Sequence, residues 1–230
     1  MTSPPASGAP SGPAPDPSGV DAPSGPLHAK VVLLAGPSGS GKSHLAERTG
    51  LPTVCLDDFY RDGDDPSLPM SVLGIPNWDH PDAWDGDRAL AALVTLVRTG
   101  GTDLPVYELA ADRSVGTQRL ELDGAPMVVA EGIFAAELIA GCQHAGILAD
   151  ALCLVHRPHV TFWRRLVRDL REGRKAPLTL LRRGLALRRQ EPAIVARQVA
   201  LGAVPVHGRD ALRRLARLAD QPPADTDVAA

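Results

Sequence analysis

Residues Gly36-Pro37-Ser38-Gly39-Ser40-Gly41-Lys42-Ser43 fit the pattern G-x-x-x-x-G-K-[ST]. Few folds can use it. The loop works only where a buried strand delivers it and a helix leaves it, so that its backbone N–H groups converge on one point. Its glycines let those groups curl around phosphate oxygens. The helix opening at Lys42 adds its positive N-terminal end. In that setting Lys42 reaches the β- and γ-phosphates and the Ser43 hydroxyl ligates Mg²⁺. At this chain's own residue frequencies the pattern is expected by chance roughly 0.002 times. The eight residues Gly36 to Ser43 therefore predict a cradle for a nucleoside triphosphate with Mg²⁺.

The surrounding pattern predicts an α/β fold. Lys30–Ala35 is a short apolar run leading into the loop and reads as a buried strand. Pro52–Asp57, Met127–Ala130 and Ala151–Val155 read the same way, with a weaker fifth run at Ala203–Val206. Continuous apolar runs suit a parallel sheet of about five strands with helices on both faces. Helical patterns fall between them, at Ser43–Thr49, Asp85–Val97, Phe134–Ala140 and Val160–Arg171. Residues 1–26 hold eight Pro, five Ser and four Gly. Such a tail cannot repay its ordering entropy and is expected to be disordered, as is 221–230. The domain is expected over 27–220.

The charge balance bounds the partners. With a net charge of −3, the chain carries no general nucleic-acid footprint. No apolar run approaches the ~18 residues of a membrane span, and no secretory start is visible. Cys55, Cys142 and Cys153 are odd in number and widely spaced, which fits reduced thiols and a cytoplasmic chain. Neither nucleic acid nor membrane is expected as a partner, and a homo-oligomer is left open.

No N-K-x-D or L-S-G-G-Q sequence is present, which removes two large classes of nucleotide-binding protein. Phosphoryl transfer to a small acceptor needs a base and an acceptor pocket. Asp57-Asp58 closes the second predicted strand, where an open parallel sheet binds its ligands. A carboxylate there can take a hydroxyl proton or cap a loop. Glu131 ends the third predicted strand, placed to hold Mg²⁺ directly or through water. Five of the eight aromatics, Phe59, Tyr60, Trp78, Trp84 and Tyr107, cluster in one stretch, which predicts a stacking pocket for a planar ligand. Arg164, Arg168, Arg171 and Lys175 form one stripe of a predicted helix. The pairs Arg182-Arg183 and Arg188-Arg189 read as solvated faces.

In order, Gly-Pro-Ser-Gly-Ser-Gly-Lys-Ser, Asp-x-Phe-Tyr, Asn-x-Asp-His-Pro-Asp-Ala-x-Asp, Pro-x-Tyr and Glu-Gly-Ile resemble the uridine kinase (uridine–cytidine kinase) family, from about Lys30 to Arg174. The resemblance implies a P-loop kinase fold with a helical lid. ATP would be the donor, with Mg²⁺, and a nucleoside 5′-hydroxyl the acceptor, in pyrimidine salvage. It implies Asp57 as base, since Asp57 leads the Asp-x-Phe-Tyr pattern. Asp79 would hold the ribose hydroxyls, while Tyr60, Trp78 and Tyr107 would line the nucleoside pocket and Glu131 would sit at the metal. Arg165 and Arg168 would come from the lid. His80 reads as structural. Where that family has a histidine five positions after the tyrosine, this chain has Asp112. An ionised aspartate only accepts hydrogen bonds, so Asp112 in that place favours a base with an exocyclic amine, such as cytosine. The other reading of Asp112 is a solvated pair with Arg113 in a hairpin loop. Two broader alternatives stay open. One is a kinase of the same fold for pantothenate, phosphoribulose or nicotinamide riboside, and the other is a slow ATP-hydrolysing nucleotide-binding module.

Overall fold

The computed structural model describes residues 26–71, 74–155 and 191–220. Its centre is β1 (Lys30–Ala35), buried from Val31 onward. On one side β1 pairs in parallel with β5 (Met127–Glu131), and on the other with β6 (Leu148–Leu154). Outside these lie β2 (Thr53–Cys55) and β7 (Val204–Val206), giving one five-stranded parallel sheet in the order β2-β5-β1-β6-β7. The weakly signalled Ala203–Val206 run is thus a strand at the sheet edge.

Successive β1 side chains point to opposite faces, and each face has its own core. Val31, Leu33 and Ala35 join a cluster with Leu93, Leu96, Phe134 and Cys142. Val32 and Leu34 join another with Leu45, Leu152 and Leu215. The first face is covered by α2 (Gly86–Thr99), α3 (Ile139–His144) and a helix over 191–200, called α4. The second is covered by α1 (Lys42–Glu47) and α5 (Gly208–Ala219). The chain therefore has the expected α/β architecture, a five-stranded parallel sheet with helices on both faces.

Local chemistry sets the ends of α2. Asp85 Oδ1 accepts from the Arg88 N–H at 3.0 Å at its start, and Gly100, at φ 85°, closes it. Ala89, Leu93, Leu96 and Val97 form its buried stripe. The expected 134–140 helix begins as a 3-10 turn over Ala135–Leu138 before α3. An antiparallel hairpin of β3 (Gly101–Glu108) and β4 (Arg113–Glu121), separate from the parallel sheet, is an addition to the expected strands. Nearly all of β4 is exposed, so its sequence carries no apolar alternation. The expected lid helix and the basic pairs after it lie outside the described residues, as do the two tails apart from Pro26. Among the described residues no helix is long and apolar enough to cross a membrane.

Candidate active site

Strand register brings the site together. Leu34 of β1 and Cys55 of β2 both pair with Glu131 of β5, so three strands end side by side. The loop 36–43 leaves the first, Asp57 follows the second, and Glu131 closes the third. In the loop, Gly36, Gly39 and Gly41 have φ of 146°, 75° and 88°. A Cβ on Gly36 would stand 2.8 Å from the Leu154 carbonyl oxygen and 2.9 Å from Ser40 Oγ, so only glycine fits. Ser40 Oγ is buried under the loop and has no hydrogen-bond partner among the described residues. Lys42 is buried, and its Nζ donates to the Gly36 and Pro37 carbonyls at 3.0 and 3.4 Å.

Ser43 Oγ donates to Glu131 Oε1 at 2.7 Å. Burial pushes the Glu131 carboxyl up. The Lys42 charge and the Ser43 hydrogen bond pull it partly back, while Asp57 and Asp58 add to the rise. A hydroxyl and a buried carboxylate, with two further carboxylates close by, are hard oxygen donors in a spot short of positive charge. That set fits Mg²⁺, which binds through one or two carboxylates and keeps waters and phosphate oxygens for its other ligands.

The acceptor side is built on a 3-10 turn, Leu56–Phe59. Leu56 and Phe59 face the core at 0% and 1% exposure, which leaves Asp57 and Asp58 half-buried on the other side. Trp84 Nε1–H donates to the Leu56 carbonyl at 2.6 Å and pins the turn. The two aspartates then part company. Asp57 Oδ1 accepts from the Ile133 N–H at 3.3 Å, beside Glu131. Asp58 Oδ1 accepts from the Tyr107 N–H at 3.3 Å, on the hairpin. Burial raises the Asp58 carboxyl.

Three predicted pocket residues meet around Tyr60. Its ring stands edge-on to Trp78 at 5.8 Å, tilted against Tyr107 at 5.9 Å, and near Phe134 at 6.1 Å. Burial raises the Tyr60 phenol, and the charges of Asp57 and Asp79 raise it further, so both carboxylates share its corner. Asp79 is exposed. The Tyr107 phenol, pushed up to about 12 by burial and then by Asp112 and Asp62, donates to the Arg61 carbonyl at 3.2 Å. The aromatic cluster is smaller than expected, because Phe59 and Trp84 belong to the hydrophobic core. His80 Nδ1 accepts from the Asp82 N–H at 3.2 Å and caps the turn at Pro81, a structural role. Asp112 is exposed in the turn of the hairpin at φ 49°, where its carbonyl accepts from the Gly63 N–H. Arg165 and Arg168 lie outside the described residues. A cleft of about 420 Å³ opens beside Tyr60, lined by Arg61, Asp62, Asp64, Asp85 and Arg88.

Sequence reasoning passed over two residues here. Phe134 lies between Tyr60, edge-on at 6.1 Å, and Trp84, tilted at 5.7 Å. Gln198, a lone glutamine on α4, is 3% exposed and bonded into the loop after β5. Nothing in its sequence context marks it.

No protein-family model matches the chain. Two curated relatives are uridine kinases. The one from Deinococcus deserti is 30% identical over 164 residues, 67% of this chain and 75% of its own length. The one from Chloroflexus aggregans is 31% identical over 164 residues, 68% and 75% respectively. Among solved structures, YFH7 of Saccharomyces cerevisiae, described as a P-loop containing kinase with a circular permutation, matches with a TM-score of 0.54 at 11% identity, covering 79% of this chain and 93% of its own. A protein of Silicibacter sp. TM1040 described as a fructose transport system kinase matches with a TM-score of 0.52 at 20% identity, covering 80% and 90%. At these identities the two structures share the fold.

Proposed function

The chain belongs to the uridine kinase family, and on that premise we propose that it moves the γ-phosphoryl group of ATP to the 5′-hydroxyl of a pyrimidine nucleoside. It is a phosphotransferase acting on a hydroxyl group; the nucleoside, the donor and a place in pyrimidine salvage are this proposal.

The observation that carries the reading is the convergence of Asp57, the Ser43–Glu131 pair and the glycine loop at the ends of β2, β5 and β1. In this reading Asp57 takes the proton of the acceptor hydroxyl as its oxygen bonds to the γ-phosphorus. The bond from that phosphorus to the β,γ-bridging oxygen breaks, and ADP leaves. The Ile133 N–H holds one Asp57 oxygen, which leaves the other for the proton. The loop N–H groups of Gly36 to Gly41 cradle the phosphates, and Lys42 turns to the β- and γ-oxygens. Ser43 and Glu131 would hold Mg²⁺, which when bound neutralises phosphate charge. Arg165 and Arg168 would add cationic groups to the transferred phosphoryl. Asp79 bonds the ribose hydroxyls while Tyr60, Trp78 and Tyr107 flank the base. Asp112, if it turns to the base edge, selects an amine-bearing base.

The test is release of ADP by the purified chain with ATP and Mg²⁺ against a panel of nucleosides and other hydroxyl compounds, with the products identified by mass. Uridine or cytidine should stimulate release and appear as the 5′-monophosphate. Stimulation by a non-nucleoside alcohol alone, or ADP release indifferent to any acceptor, overturns the assignment.

A further inference from the structure

Gln198 lies between the end of β6 and the loop after β5. Its Oε1 accepts from Cys153 Sγ–H at 3.1 Å, and its Nε2–H donates to the Ile133 carbonyl at 2.8 Å. Two facts orient the amide. A backbone carbonyl only accepts, so the nitrogen must face Ile133. Cys153 is wholly buried, and burial holds its thiol up at about 11, against an opposing pull from Lys42, so it keeps its proton and donates.

Ile133 is also the residue whose N–H bonds Asp57 Oδ1. The backbone there has little slack. A Cβ on Gly132 would stand 2.9 Å from Asp57 Oδ1 and 2.9 Å from Leu56 Cβ. The same turn of α4 is held a second time, by Arg197 Nη2 on Glu137 Oε1 at 2.9 Å.

We propose that Gln198 is a positioning residue for the phosphoryl transfer: it fixes the backbone at Ile133, whose N–H sets the orientation of the Asp57 carboxylate. The inference rests on Asp57 being the base. Without Gln198 the half-buried Ile133 carbonyl loses its donor, the peptide on its other side loses that restraint, and the carboxylate loses its fixed orientation. Misplacement of a reacting group costs rate while leaving nucleotide binding intact.

The test uses the full chain with Mg²⁺, ATP and cytidine or uridine, and three substitutions. Gln198→Met keeps the volume and removes both hydrogen bonds. It should lower kcat roughly 10- to 100-fold with KM for ATP unchanged. Added to Asp57→Asn, it should cost little more, because the group it positions is already lost. Gln198→Glu can keep both bonds only while protonated, its O–H donating to the Ile133 carbonyl. Its kcat relative to wild type should therefore fall as pH rises. Taking this ratio cancels the charged and titratable groups that both proteins share, namely Cys55, Asp58, Tyr60, Glu131 and Lys42 around Asp57, and Cys153, Arg197 and Glu137 around position 198.

Wild-type kcat in Gln198→Met overturns the proposal. So does a full additional loss in the Asp57→Asn background. If Gln198→Met does not fold, a pH-independent Gln198→Glu ratio overturns it instead. An undiminished Asp57→Asn enzyme has a different meaning, since it removes the base assignment itself and with it the premise of the inference.

Discussion

The Ser43 hydroxyl at the start of α1 donates to the Glu131 carboxylate at the end of β5 over 2.7 Å, across 88 positions of chain. The bond exists because β1 and β5 run parallel in a register that brings Leu34 beside Glu131. It ties the phosphate loop to the strand end that faces Asp57.

Glu131→Gln should cost activity and add stability. Burial lifts the Glu131 carboxyl, so the folded chain holds its proton more tightly than the unfolded chain does. The stability from this is complete below the ordinary glutamate range and is lost as pH rises through the raised value. Glutamine carries no charge and still offers an oxygen to Ser43. The variant should therefore melt above wild type at neutral pH, by a margin that vanishes below about pH 4. Its kcat should fall roughly 10²-fold. ATP with Mg²⁺ at a hundred times its Kd stabilises wild type by about 2.7 kcal/mol, and the variant should gain less. Thermal melts with and without ligand at the two pH values decide it.

Lys42→Ala should remove turnover and leave the fold. Among the described residues the ammonium donates to the Gly36 and Pro37 carbonyls, both within the loop. Loss of a cation aimed at developing phosphate charge costs roughly 10²–10³-fold in kcat. Circular dichroism and the melting curve should match wild type. Normal turnover in a folded variant would contradict the phosphate-loop reading.

Asp57→Asn and Asp58→Asn should separate cleanly. Asp57→Asn should lower kcat roughly 10²–10⁴-fold, the range for a positioned base, with ATP affinity kept. Asp58 bonds the Tyr107 N–H instead. Asp58→Asn should raise KM for the nucleoside through the hairpin and spare kcat. Steady-state kinetics on both variants decides the matter, and the reverse pattern would exchange the two roles.

Trp84→Phe should destabilise. The ring stays in the core, but the Leu56 carbonyl loses the indole N–H that bonds it at 2.6 Å. An unpaired buried carbonyl costs about 1–3 kcal/mol, which for a chain of this size lowers the melting temperature by roughly 2–12 °C. Because Leu56 opens the turn that carries Asp57, kcat should fall too. A melting temperature equal to wild type would show that the bond contributes nothing.

The parallel sheet was legible because its strands are buried on both faces and read as unbroken apolar runs. Lys30–Ala35 and Met127–Ala130 needed no tertiary context. The loop was legible because its chemistry demands particular residues at fixed spacing. The hairpin loop at Asp112-Arg113 was one reading of the sequence, but its strands were not legible, since β4 is Arg-Ser-Val-Gly-Thr-Gln-Arg-Leu-Glu, almost wholly exposed, and β3 carries Pro105 in mid-strand. Phe59 and Trp84 were misplaced because aromatic clustering along the chain does not tell a pocket from the core beneath it. Gln198 was invisible for a third reason. Its partners are a backbone carbonyl and a thiol 65 and 45 positions away, and such long-range bonds leave no local pattern.

Tyr107 rides on a ribbon that shares no strand pairing with the sheet bearing the glycine loop. Tyr107 is tied to the segment after β2 by the Asp58 and Arg61 bonds, and the ribbon's turn by those of Gly63 to Asp112 and Ser114 to Asp62. In the proposed reading, the part of acceptor binding that Tyr107 and Asp112 supply thus sits on a different mechanical part from the phosphate loop. Lengthening, shortening or re-registering the ribbon moves Tyr107 and Asp112 and leaves every ladder bond of β1 with β5 in place. On that reading a lineage could retune the base it accepts by editing some twenty ribbon residues, without relearning how to hold a triphosphate.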